Sequence, residues 1–377
     1  MKEFQLLKYL LILLIAIAGI FILLHPGGLF RSLKPLKLNN NTIAPNVDNS
    51  QGSEQSSTVP SSASIALGVY VPAADPLSHG TAVDQYTKEV GKKPAFAWFS
   101  VKWKGAKTGD YTQFDPRLLD QFRTRGIMPG ITWDASKGPA LNKLGGDQPE
   151  FSWKAIASGK HDAYITEVAK SAAEYRHPFF LRTLHEMNGN WYPWGYSTNG
   201  NNNPADFVSA WKHIVDIFRR EGATNVQFVW CPAAGILTPQ RLNQYGDVFK
   251  AMYPGDDYVD WIGLDGYSNL AEGNRSLENV FFFTYEFLTD FTNRPMMIYE
   301  VGATENPSDS ITKANWIKKG FLTTIPTKFP EVKIVNYFNS TNDGPNAKNY
   351  ALDTSENALN AWKQVVSNPL YQGNLIK

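Results

Sequence analysis

The chain has 377 residues, and its 36 Lys and Arg against 35 Asp and Glu leave a formal net charge of +1. That balance provides no field to recruit nucleic acid or an anionic membrane surface. A single cysteine, Cys231, excludes an intrachain disulfide, so stability must come from core burial.

The first element is the run from Tyr9 to Leu24, YLLILLIAIAGIFILL, free of charge and preceded by Lys2 and Lys8. Phe4, Leu6 and Leu7 lengthen it toward the roughly 20 residues that span a bilayer if Lys8 snorkels. The one A-x-A pattern of the N-terminal segment, Ala16-Ile17-Ala18, falls in mid-run, and no lipobox cysteine follows. Residues 1–30 are therefore expected to be an uncleaved signal-anchor, with a cleaved signal peptide and secretion as the alternative. Residues 31–64 follow as a tether rich in Ser, Asn and Pro, with too few large apolar side chains to offset the entropy of ordering. This predicts a single-pass membrane protein whose large domain, 65–377, lies outside the cytoplasm; the export follows from the substrate class inferred below.

From Ile65 onward strand-like and helix-like stretches alternate, the pattern of an α/β fold with a parallel sheet. The predicted strands are Ile65–Val71, Ala95–Val101, Ile127–Trp133, Pro178–Glu186, Val226–Pro232, Val259–Tyr267, Pro295–Val301 and Val332–Asn339. Helical spacing is plainest over Pro204–Glu221, where Phe207, Trp211, Ile214, Val215 and Phe218 share a face. Further helices are expected near Pro116–Thr124, Asp162–Tyr175, Ser276–Phe291, Ile311–Leu322 and Ser355–Val366. Eight strands with intervening helices predict a (β/α)8 TIM barrel, whose usual size is about 250 residues plus insertions. A doubly wound sheet is the alternative, but GVYVPAADPLSHG after the first strand holds no phosphate-binding fingerprint.

In a barrel, site residues stand at the C-terminal ends of strands. Glu186 ends the fourth predicted strand and Glu300 the seventh, so their carboxylates would converge over the mouth. Burying a carboxylate at the end of an apolar run is costly unless something uses it. A lone Glu at a strand end is more often a loop-facing ion-pair partner. Two of them on opposite strands, with Trp191, Tyr192 and Trp194 behind the first, point instead to an acid and a nucleophile flanking a sugar. Tyr267 is placed to donate to Glu300, and Arg182, in phase with Glu186, to favour ionised carboxylates in the mouth. His185 is one residue out of phase and reaches the mouth only if the strand end bends. Trp98, Trp103, Trp133, Trp191, Trp194 and Trp230 are candidates to line the groove, whereas Trp211 and Trp362 fit helical packing.

Other chemistries fail on spacing. H-E-x-x-H breaks at Gly189, the remaining histidines show no metal-ligand spacing, and G-x-S-x-G is absent. No metal and no cofactor are expected.

The segment R-x-x-H-E-M-N-G-x-W-x-P-W at 182–194 closely resembles the hallmark of glycoside hydrolase family 26. YVDWIGLDGY at 258–267 and MIYEVGATE at 297–305 are similar to its sixth and seventh strands. That family holds mostly β-mannanases, with some mixed-linkage β-glucanases and β-1,3-xylanases. The resemblance implies that Glu186 is the acid/base and Glu300 the nucleophile of a retaining double displacement. It implies that Tyr267 holds the nucleophile, that His185 and Trp191 shape the subsite of the attacked sugar, and that Arg182 and Asn188 brace the constellation. Trp230 would form part of the cleft floor, and Tyr337 stands near where relatives offer tryptophan to the same sugar. The expected protein is a monomeric endo-β-glycanase acting on β-1,4-mannan, with β-1,3-1,4-glucan or β-1,3-xylan as alternatives. A reading from another class is a non-catalytic envelope component that binds polysaccharide.

Overall fold

The computed structural model describes residues 64–138, 148–270, 275–306, 308–341 and 347–375. The apolar run and nearly all of the tether lie outside the described residues. Among those described, no helix is long and apolar enough to cross a membrane.

Eight strands follow in chain order: β1 (Ile65–Tyr70), β2 (Phe96–Lys104), β3 (Met128–Lys137), β4 (Phe179–Thr183), β5 (Val226–Trp230), β6 (Trp261–Ser268), β7 (Met296–Ala303) and β8 (Val332–Phe338). Each pairs in parallel with the next, and β1 pairs with both β8 and β2, closing the ring at Gly68↔Phe96. A two-residue β9 (Tyr371–Gln372) adds to β1 from outside. This is the closed (β/α)8 barrel.

The helices are α1 (His79–Val90), α2 (Pro116–Arg123), α3 (Trp153–Ala157), α4 (Asp162–Tyr175), α5 (Pro204–Arg220), α6 (Pro239–Ala251), α7 (Leu277–Thr289), α8 (Ser310–Lys319), α9 (Ile325–Lys328) and α10 (Glu356–Ser367). Short polar caps start several of them: Asp115, Asn203, Thr238, Ser276 and Ser355 each accept a backbone N–H of the first turn. Helices α1, α3, α6 and α9 lie outside the helices expected from the sequence. Only Gly246 and Phe249 of α6 are buried, too sparse a stripe to mark an amphipathic helix.

Two apolar layers hold the fold. Between sheet and helices lie Trp103, Trp133, Trp153, Trp211, Trp230 and Trp362, and inside the barrel lie Phe96, Trp98, Phe180, Cys231, Met297, Tyr299 and Phe338. Alternation along each strand decides which layer a residue joins.

Two departures from regular strand geometry position the mouth. Strand β4 stops at Thr183, three residues short of the predicted end, because Leu184 (φ 46°) and Glu186 (φ 51°) take left-handed backbone. On β7, Ile298 pairs with Leu264 but Glu300 with the next residue, Asp265, and the same surplus residue recurs against β8. This bulge lets Tyr299 and Glu300, consecutive in sequence, both face inward.

Candidate active site

Arg182 is the hub of the barrel mouth. Its guanidinium is fully buried, lies 3.9 Å from the Tyr299 ring centre and 4.8 Å from that of Trp98, and bonds to three other strands. Nη1 donates to Asp265 Oδ2 at 2.6 Å, Nη2 donates to Thr132 Oγ1 at 2.9 Å, and Nη2 also donates to Glu300 Oε1. Burial opposes the charge, but Asp265 and Glu300 outweigh it and hold Arg182 well above the ordinary guanidinium range. Burial pushes the Asp265 carboxyl up; Arg182 pulls against it, while Glu300 and Glu186 add to the push.

Glu300 is only 7% exposed. Its Oε1 accepts from Arg182 and its Oε2 from the Tyr267 hydroxyl, so both oxygens are fixed by donors. Tyr267 is itself backed by Tyr350, with ring centres 4.7 Å apart, and by the edge of Phe338 at 5.5 Å. Behind Tyr350 the buried Lys313 of α8 donates to Ala351 O at 2.5 Å and to Thr354 Oγ1 at 2.9 Å. Glu305 accepts from the hydroxyls of Thr354 and Ser355. The segment after β8 is thereby pinned against Tyr267.

Glu186 sits beyond the end of β4. The turn at Leu184–Glu186 is held by Glu186 N–H donating to Cys231 O at 2.7 Å. Asn188 completes the attachment, donating to Ala233 O and accepting from Ala233 N, each at 2.9 Å. The Trp191 indole N–H donates to Glu186 Oε2 at 2.5 Å. Gly189 makes this possible, because a Cβ there would come within 2.4 Å of the Trp191 ring. The two glutamates share one neighbourhood: Tyr192, its hydroxyl raised first by burial, is pushed further by Glu186, Asp134 and Glu300.

His185 does reach the mouth, by the bend that strict alternation required. Trp194 holds its carbonyl at 2.6 Å, and its Nδ1 lies 3.8 Å from Asp134 Oδ1. Burial, followed by Arg182 and Lys102, pushes His185 well below the usual imidazole range, so the ring is neutral near pH 7. Asp134 Oδ1, His185 Nδ1 and Trp98 Nε1 are buried without hydrogen-bond partners.

The structure therefore gathers Arg182, His185, Glu186, Asn188, Trp191, Tyr267 and Glu300. It removes Trp133, Trp230 and Tyr337 from the mouth. Trp133 packs on Trp103 and Tyr164, Trp230 on Phe249 and Tyr253, and Tyr337 on Trp362, all in the layer between sheet and helices. Each stands one residue out of phase with an inward neighbour: Thr132 and Asp134, Cys231, and Phe338. Phe338 is the aromatic that closes the mouth at β8, stacked on Tyr70 at 4.8 Å. Sequence reasoning missed Asp265 as a site residue, although it lies two positions before Tyr267 and so faces the same way. Among the described residues no cluster of His, Cys, Asp and Glu could hold a metal ion.

A closed parallel barrel with a buried, doubly held glutamate on its seventh strand and another beyond its fourth defines a barrel glycoside hydrolase. The chain belongs to glycosyl hydrolase family 26, whose profile matches residues 130–340. Endoglucanase H of Acetivibrio thermocellus is 34% identical over 303 residues, 77% of this chain but 30% of that protein. A mannan endo-1,4-beta-mannosidase of Bacillus subtilis (strain 168) is 28% identical over 190 residues, 48% of this chain and 44% of that protein. The chain thus spans less than half the length of either relative. An endo-beta-1,4-mannanase structure from Cellulomonas fimi superposes with a TM-score of 0.59 at 16% identity, over 83% of this chain and 74% of that one, and shares the fold.

Proposed function

We propose that the protein is a retaining endo-β-glycanase, with Glu300 as nucleophile and Glu186 as general acid and then base. The observation that carries this reading is the treatment of Glu300: a buried carboxylate whose two oxygens meet Arg182 and Tyr267. Those donors fix both oxygens and hold the carboxylate in place for attack on an anomeric carbon. Glu186 is oriented by the Trp191 indole N–H at the edge of the mouth, where its carboxyl would meet the glycosidic oxygen. Attack by Glu300 forms a glycosyl ester while Glu186 gives its proton to the departing sugar. Glu186 then takes a proton from water, which cleaves the ester and restores the anomeric configuration. Asp134, His185 and Trp98 offer unpaired polar atoms for hydroxyls of the attacked chain.

A glucose-based β-glycan is the favoured substrate, supported by the 34% identity to an endoglucanase over most of the chain. β-1,4-Mannan, which the sequence placed first, is the second reading, supported by the shorter likeness to a mannosidase. The test is hydrolysis of barley β-glucan, β-1,4-mannan, glucomannan and β-1,3-xylan, with the product anomer followed by proton NMR. Retention of configuration on one of these, lost in Glu300→Ala and in Glu186→Ala, is expected. Inverted product, or full turnover by either variant, would sink the assignment. The N-terminal anchor and tether remain part of this proposal, placing such an enzyme at the outer face of a membrane.

A further inference from the structure

We infer that the cleft beside Trp191 is the subsite for the leaving-group saccharide, with the exposed face of α6 as one wall; this rests on the reading of Glu186 as the acid. The cavity measures about 430 Å³, within the range of about 300–1,000 Å³ for small-molecule sites. One wall comes from the turn that follows Glu186, including Asn188, Asn190 and Trp191, and the other from α6.

Along α6, Arg241, Gln244, Tyr245 and Val248 fall at i, i+3, i+4 and i+7, so one helix face looks into the cleft. Tyr245 is 43% exposed, and among the large hydrophobic side chains described only Leu77 is more open. Arg241 has no ion-pair partner among the described residues, and Gln244 is likewise exposed. An uncovered aromatic ring flanked by hydrogen-bonding groups fits a pyranose, which presents C–H faces and rim hydroxyls. The direction follows from Trp191, which bonds to Glu186 and also lines the cleft. The sugar that receives the Glu186 proton would therefore extend over Trp191 toward Tyr245, away from Glu300.

The test uses the full chain and compares polymers (barley β-glucan and β-1,4-mannan) with the 2,4-dinitrophenyl β-glycosides of cellobiose and mannobiose. The aryl glycosides carry no sugar beyond the cleaved bond. Tyr245→Ala should lower kcat/KM on the cleaved polymer about tenfold and change aryl glycoside hydrolysis by less than about twofold. Tyr245→Phe, which keeps the ring, should retain polymer activity. Undiminished polymer cleavage by Tyr245→Ala, or an equal fall on both substrate types, would overturn the subsite while leaving the catalytic pair standing. Full turnover by Glu186→Ala or Glu300→Ala, or no cleavage of any substrate by the parent chain, would overturn the catalytic reading and the subsite with it.

Discussion

Arg182 and Asp265 form an ion pair of 2.6 Å in which neither side chain is exposed to solvent. The same guanidinium also serves Glu300, so one cation of β4 compensates two carboxylates, on β6 and β7. Removing that cation leaves two buried acids facing each other. Arg182→Met is expected to destabilise the fold by about 3–5 kcal/mol, the usual cost of breaking a buried pair. Asp265→Asn keeps an acceptor for Arg182 and should cost less, about 1–3 kcal/mol. Urea unfolding at pH 7 measures both, and equal or reversed costs would refute the hub role of Arg182.

The Tyr267 hydroxyl donates to Glu300 while its ring rests on Tyr350 and Phe338. Tyr267→Phe deletes the donor and keeps the ring. A hydrogen bond to a charged group contributes about 1.5–3 kcal/mol, so kcat should fall about 10- to 100-fold with little change in Tm. An unchanged kcat would mean that Arg182 alone prepares the carboxylate.

Burial pulls Lys313 down from 10.5 to about 8, with Glu305 and Asp353 opposing. Between pH 8 and 10.5 the unfolded chain then binds more protons than the folded one, so this group makes stability rise with pH across that window. Its burden is full below pH 8 and gone above 10.5. The stability of the parent chain relative to Lys313→Met should accordingly improve by up to about 3 kcal/mol from pH 7.5 to 10.5. Denaturant titrations across that range check it; a flat difference would show that the ammonium carries no burial cost.

Trp230 and Tyr337 lie behind the sheet, so their loss should register as stability and not as substrate affinity. Trp230→Ala is expected to cost about 3–5 kcal/mol. Tyr337→Phe removes only the hydroxyl that donates to Tyr350 O at 3.0 Å and should cost about 1 kcal/mol. KM should stay at the parental value in Tyr337→Phe; a rise would mean that the pinning of Tyr350 reaches the substrate.

These side chains also show where reading the sequence succeeded and failed. Strand number and order were legible because each strand is an apolar run separated by helix-length segments, and Glu186 and Glu300 were legible as charges ending such runs. Which way a residue faces was not. Nearness to a strand end suggests the mouth for Trp133 and Trp230, and the family resemblance suggests it for Tyr337, while pleating sends all three outward. Glu300 faces inward only because β7 carries an extra residue, and a bulge leaves no pattern in composition. His185 depended on left-handed backbone at Leu184 and Glu186, where a non-glycine φ above zero cannot be anticipated from residue type. Helix α6 went unseen for a different reason: the face that would have announced it borders a cleft, not the core.

Asn188 has a consequence for how the molecule ages. Its side-chain amide gives and takes one bond each with Ala233, in the manner of a neighbouring strand. It is followed by Gly189, and Asn-Gly is the dipeptide most open to spontaneous deamidation, since glycine leaves the backbone nitrogen unshielded. The aspartate so formed cannot donate to Ala233 O and would set a charge against that carbonyl. Intact protein should resist the change while the amide is held, and chain that has once unfolded should collect it. Stored samples that lose activity are then expected to show a one-dalton gain on the peptide spanning 188 by mass spectrometry, so that one atom of shelf-life chemistry loosens the turn that carries Glu186.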